Sequence, residues 1–213
     1  MFIYKLFRVY PYLKTKLYIY WNKIFFTFLG IEFGSNMQIP NKIYISGKGN
    51  IKIGDDFRFT SGDNLNPICR NIKGSIHTAN NEASVTIGNR VGISSSCIWS
   101  NSSIFIGDDV NIGGDCIIMD NDAHPHDYIK RRRSFFKRAG EDDISNIIPT
   151  SPIIIENDVW IGARCIVLKG VHIGPRTIIG AGSVVVKDIP ADCVAGGNPC
   201  KVLSRNKSSE NIT

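Results

Sequence analysis

The chain has 213 residues, with 25 Lys and Arg against 19 Asp and Glu, for a formal net charge of +6. At 43% hydrophobic and 21% charged residues it has the make-up of one globular domain, which excludes a mainly disordered chain and a disulfide-stapled mini-protein. No stretch offers the roughly 20 consecutive apolar residues of a membrane span, and the N-terminal region lacks the apolar run and cleavage site of a signal peptide, so a cytoplasmic protein is expected.

The first element, within an N-terminal segment 1–35, runs from Phe2 to Leu29 and is rich in aromatics and Lys, with no acidic residue before Glu32. Leu13, Leu17, Tyr20, Ile24 and Phe28 keep helical spacing. Two readings stand for this predicted helix. It packs against the rest of the fold or a neighbouring subunit, or it is a basic, aromatic interfacial helix that holds the protein at the inner face of a membrane through residues 2–29.

Residues 36–203 carry an internal repeat. From Ile155 an aliphatic or small residue recurs every sixth position, at Ile161, Val167, Ile173, Ile179, Val185 and Ala191. Gly162, Gly174 and Gly180 follow directly, and Val159, Cys165, Val171, Thr177, Ser183 and Ile189 sit four positions after the frame residues. A helix repeats its apolar face every three to four residues and a plain strand every two, so a period of six fits neither. Earlier frames open at Ile53-Gly54, Ile87-Gly88, Ile106-Gly107 and Ile112-Gly113, with Ile93 and Trp99 continuing the second and one residue inserted after Trp99. Insertions interrupt the pattern at about 60–83 and 120–152, and residues 204–213 read as a polar, flexible tail. Of the six cysteines none forms a Cys-x-x-Cys pair, and Cys97, Cys116 and Cys165 take the small fourth-on position, which suits reduced thiols.

A six-residue period of aliphatic residue then Gly resembles the hexapeptide-repeat family. The resemblance implies an all-β fold, a left-handed parallel β-helix in which three hexapeptides make one triangular coil and stacked coils bury a shared core. Chemistry is sought in the second insertion, at Met119-Asp120-Asn121-Asp122-Ala123-His124-Pro125-His126-Asp127. An imidazole flanked by carboxylates suits acid–base work, because His titrates near neutrality and a carboxylate partner fixes its tautomer. This segment, with Pro152 to Val202 and its strings DVWIG, IGAGSVV, KDIP and GNPCKV, resembles the sugar and antibiotic O-acetyltransferases, galactoside and maltose acetyltransferases especially. The N-terminal part, through Ser61 to Asn71, is instead similar to O-acetyltransferases of polysaccharide assembly.

That resemblance implies acetyl-CoA as donor, a homotrimer with active sites between subunits, and a sugar or glycan acceptor in surface polysaccharide biosynthesis. It makes His124 the general base, oriented by Asp122 or Asp120. It carries cofactor contacts onto Trp160, Ala163, Ala181, Val186, Lys187 and Lys201, with the lysines near the CoA phosphates. Two family positions depart, since a common Ser is Ala163 here and a C-terminal Arg falls on Ser204. The acceptor-holding Asn and Asp of those relatives fall on Ile93 and Asn101, so acceptor identity does not transfer. Asn101 is kept as a candidate, with Asn66, Arg70 and Asn71 of the first insertion as an acceptor wall that also holds His77. Direct transfer requires neither an acyl-enzyme nor a metal, and an N–H near Ala163 would receive the oxyanion.

The run Lys130-Arg131-Arg132-Arg133, with Lys137 and Arg138, is either a solvated face or a steering patch for CoA or an anionic glycan. Nucleic acid is not expected, because no binding motif accompanies the charge. Three rivals remain: an N-acetyltransferase on an amino sugar, a γ-type carbonic anhydrase using His124, His126 and His172 for zinc, and a non-catalytic scaffold.

Overall fold

The structure is a computed structural model that describes residues 2–62, 66–68, 72–135 and 147–206. Helix α1 (Phe2–Phe28) is followed by β1 (Glu32–Phe33), β2 (Tyr44–Gly47), β3 (Asn50–Ile53), β4 (Arg58–Thr60), β5 (Ser75–Thr78), β6 (Ser84–Ile87) and β7 (Gly92–Ser94). Next come β8 (Cys97–Ser100), β9 (Ser103–Ile106), β10 (Asn111–Ile112), β11 (Ile117–Met119), helix α2 (Tyr128–Phe135) and β12 (Ile153–Ile155). The chain closes with β13 (Trp160–Ile161), β14 (Ile166–Leu168), β15 (His172–Ile173), β16 (Ile178–Ile179), β17 (Val184–Val185), β18 (Cys193–Gly196) and β19 (Lys201–Arg205).

The strands form three sheets, ordered β1-β3-β6-β9-β12-β15, β4-β7-β10-β13-β16-β18-β19 and β2-β5-β8-β11-β14-β17. From β2 to β17 every third strand joins the same sheet, and all strand pairings but β18–β19 are parallel, giving the left-handed parallel β-helix that the period predicts. The core follows from register. Ile53, Ile87, Ile106, Ile155 and Ile173 stack inside the first sheet, while Ile76, Ile98, Ile118, Val167 and Val185 stack inside the third. All ten are at most 5% exposed, and burying each aliphatic side chain contributes about 1.5–3 kcal/mol.

The corners explain the small and polar positions. Along one of them each side chain serves the coil below. Asp55 Oδ1 accepts from Ser35 N, Asn89 Oδ1 from Asp55 N, Asp108 Oδ1 from Asn89 N, and Asn157 Oδ1 from Asp108 N. The residue after each then enters the left-handed region, at Asn36, Asp56, Arg90, Asp109 and Asp158, where Asn and Asp are tolerated. At another corner the Cys116 and Cys165 thiols donate to the Gly162 and Gly180 carbonyls at 3.1 and 3.2 Å. Free thiols at Cys97, Cys116, Cys165, Cys193 and Cys200 agree with the reduced reading.

The structure corrects the frame in two places. Ile98, not Trp99, points inward, because the turn between Ile93 and β8 is one residue short. Ser96 therefore takes the small corner position and Cys97 lies on the outer face. Near the C-terminus Ile189 aligns with Ile173 and Ala195 with Ile179, so the last coil is two residues short. Ala191 lies at a corner, its N–H where a Cβ on Gly174 would intrude.

The boundaries also shift. Glu32–Phe33 already belongs to the coil, and β5 recruits Ser75–Thr78 into the third sheet, so the first insertion is shorter than 60–83. At the other end Ser204 and Arg205 are not part of a loose tail but pair with β18.

Candidate active site

The second insertion leaves the coil after β11 and returns at β12. Its neck is closed by Ser151 N donating to Asp120 O, Asp122 N to Pro149 O, and Thr150 Oγ1 to Asp120 O at 2.8–3.1 Å. Asn121 Oδ1 accepts from Ala123 N, and Ala123 takes φ of 60°, so the chain turns sharply before His124. Beyond it Asp127 caps α2 through Ile129 N and Lys130 N, and Arg131 Nη1 reaches back to the Pro125 and His126 carbonyls. The described part of the insertion, up to Phe135 and from residue 147 on, is thus tied down by its own hydrogen bonds, with His124 exposed on it.

The two carboxylates expected to orient His124 serve other groups. Asp120 is fully buried and accepts from Ser100 Oγ, Asn101 N and Ser102 N at 2.7–2.9 Å, plus Asn121 Nδ2 at 3.3 Å. It is a corner ligand of the coil below. Asp122 accepts from Lys169 Nζ at 2.7 Å through one oxygen and meets His126 Nε2 at 2.6 Å through the other. Partial burial pushes the Asp122 carboxyl up, but the Lys169 ammonium and the His126 imidazole together pull it below the ordinary carboxylate value. The imidazole held by Asp122 is thus His126, while His124 meets Asp122 through its backbone, N to O at 2.6 Å. The zinc reading for His124, His126 and His172 finds no support in their placement, since His126 Nε2 is engaged by Asp122. His172 pairs with Glu156 at 2.8 Å instead.

Lys169 escaped the sequence reading. Its signal lay in the register: it follows Leu168, which stacks on Met119, so it sits one coil above Asp120. Val186 and Lys187 continue the same column past Val185 and are exposed. Ala163 and Ala181 stack on a different corner, between the second and third sheets, where Gly182 N donates to Ala163 O. Trp160 faces outward from β13 at 56% exposure, and Lys201 pairs with Gly196. The expected cofactor residues therefore fall into two groups, separated within one chain by the width of the third sheet.

Of the acceptor candidates, Asn66 uses its side chain locally, accepting from Ile68 N, while Arg70 and Asn71 lie outside the described residues. Asn101 is buried, with its amide oxygen unpartnered, as is Trp99 Nε1. His77 packs edge-on against Trp99 and pairs through Nδ1 with Ser46 Oγ at 2.7 Å. In the basic run, Arg131 is a structural latch and Arg132 lies over the Tyr128 ring; Lys137 and Arg138 lie outside the described residues. Among the described residues no group of three His, Cys, Asp or Glu is gathered as a metal site.

Residues 152–187 match the family model of the bacterial transferase hexapeptide (six repeats). The chain is 38% identical over 111 residues to galactoside O-acetyltransferase of Lactococcus lactis, covering 51% of this chain and 46% of that protein. It spans less than half the length of the curated relatives it matches. Among solved structures it is similar to the polySia specific acetyltransferase NeuO, at 29% identity and TM-score 0.51, covering 82% and 81% of the two chains. AntD, an N-acyltransferase from Bacillus cereus, shares the fold at TM-score 0.63 and 20% identity, covering 88% and 90%.

Proposed function

We propose that this hexapeptide-repeat chain is an acetyl-CoA-dependent O-acetyltransferase acting on a sugar hydroxyl of a glycan, with His124 as general base. The observation that carries the reading is the bonded neck and the turn at Ala123 that present His124 beside the Asp122–Lys169 ion pair. A hydroxyl rather than an amine as acceptor is supported by the likeness to a galactoside O-acetyltransferase and to NeuO.

His124 takes the proton from the acceptor hydroxyl as that oxygen attacks the thioester carbonyl carbon. The tetrahedral oxyanion needs a fixed donor, and the backbone N–H at the Ala163 corner is the candidate. Collapse breaks the carbon–sulfur bond, and the imidazolium returns its proton to the leaving CoA thiolate. Asp122, Lys169 and His126 act as positioning residues that fix the loop. Because the His124 loop and the Ala163–Ala181 corner lie apart in one chain, a site using both forms between copies, which supports a homotrimer.

The test is thiol release from acetyl-CoA with a panel of sugars, beside calorimetry of acetyl-CoA binding. His124→Ala should lower kcat by about 10²–10⁴-fold with acetyl-CoA binding retained, and His126→Ala should cost far less. Failure of the wild-type chain to bind acetyl-CoA at millimolar concentration, or full activity in His124→Ala, would refute the proposal.

A further inference from the structure

Helix α1 is unequal along its length and around its axis. Its C-terminal end is anchored: Phe26 is fully buried and stacks edge-on against Phe33, and Asn22 Nδ2 donates to the Ile39 and Asn41 carbonyls at 2.8 and 2.9 Å. The opposite face is apolar and open. Leu13, Leu17, Tyr20, Trp21, Ile24 and Phe28 recur at helical spacing and are 48–85% exposed, and Tyr10 continues the stripe. Such a stripe is far more apolar than the outward face of an ordinary surface helix.

Charge says what covers it. Lys5, Arg8, Lys14, Lys16 and Lys23 lie in α1 with no acidic residue, so this one helix supplies five of the chain's net six positive charges. At about 100° per residue the apolar stripe is flanked by Lys14 on one side and by Lys16 and Lys23 on the other. Lys14 and Lys16 are drawn over the rings of Tyr18 and Tyr12, at 5.9 and 5.6 Å. A protein partner would need a matching acidic rim around an aromatic trough. A lipid bilayer with anionic headgroups offers acyl chains to the stripe and phosphates to the lysines together. No described helix is long and apolar enough to cross a membrane; a one-sided apolar stripe flanked by lysines suits a helix lying in the headgroup plane.

We propose that α1 is an anionic-membrane docking helix that carries the coil on a lipid surface by its Tyr10–Phe28 stripe and flanking lysines. The proposal does not depend on the acetyl-transfer reading, and its test does not use activity.

The full chain is mixed with vesicles of phosphatidylcholine alone or with 30% phosphatidylglycerol, and partition is read by co-sedimentation and by the blue shift of Trp21 fluorescence. Binding is expected to the anionic vesicles only, and to weaken between 0.1 and 0.5 M salt. Each lysine near such a surface is worth about fivefold in partition, so Lys14→Glu/Lys16→Glu should lose at least about 25-fold. Leu17→Glu, at a site 70% exposed, should abolish the blue shift and leave the coil folded. Equal binding to both vesicles, or none, would overturn the proposal. So would a Leu17→Glu chain whose mass in light scattering differs from wild type, since a second copy of the chain would then be the occupant.

Discussion

Asp120 tests whether the buried corner carboxylate is structural. In Asp120→Ala, Asn101 N and Ser102 N lose acceptors now at 2.7 and 2.9 Å, in a turn that water reaches poorly. Ser100 Oγ keeps an alternative in the Ser84 carbonyl at 3.0 Å, so its loss is partial. A buried donor left unsatisfied costs about 1–3 kcal/mol, so the two amides and the lost charge-assisted bonds together amount to about 3–5 kcal/mol. The assay is urea unfolding followed by circular dichroism, beside transferase kinetics at a temperature where the variant stays folded. The midpoint should fall steeply while kcat changes by less than about threefold, since the Asp120 oxygens are engaged by Ser100 Oγ, Asn101 N and Ser102 N of the coil below. A variant of wild-type stability with activity lost by 100-fold or more would refute the structural assignment and return Asp120 to the chemistry.

Three further outcomes follow from packing and charge. A Cβ on Gly74 would come within 2.6 Å of Phe59 Cζ and closer still to its Cε2, so Gly74→Ala should lower the thermal midpoint, and Phe59→Leu should recover part of the loss in a double-mutant cycle. Asp55, Asp108, Asp122 and Asp127 are all held below their ordinary value of 3.8. Backbone amides dominate for all but Asp122, where Lys169 and His126 outweigh burial. A carboxyl lowered on folding stabilises above its unfolded value, and that stability is lost as pH falls through the folded one. Stability should therefore hold above about pH 5 and decline below 3.8, and Lys169→Met should raise the Asp122 carboxyl as read by carbon NMR.

The coil was legible because its cause is local and repeated. An aliphatic residue, a Gly and a small corner residue recur wherever Ile161, Gly162 and Cys165 do, and each coil imposes the demand afresh. The slips at Trp99 and Ala191 were hidden for the same reason. Ile98 and Trp99 are both apolar, and only the length of the preceding turn decides which one faces the core. The site was legible as a segment but not as a set of contacts. Asp122 stands two residues from His124 and four from His126, and the turn at Ala123 gives its side chain to the farther one. Lys169 is 47 residues away in sequence, and only stacking of β14 on β11 brings it to Asp122.

The way the prism ends has a consequence for assembly. A parallel coil is a template, since its last strands present the same open hydrogen-bonding edges on which each earlier coil was laid. At one end α1 is anchored on the first coil, with Phe26 against Phe33 and Asn22 Nδ2 donating to the Ile39 and Asn41 carbonyls. At the other, β19 reverses direction on β18, so the second sheet ends on a strand of opposite polarity. The expected consequence is that these two elements hinder head-to-tail stacking of one coil on another. A chain cut back to the bare coils would offer complementary ends related by translation, a contact that never closes on itself, and would grow into filaments visible by electron microscopy.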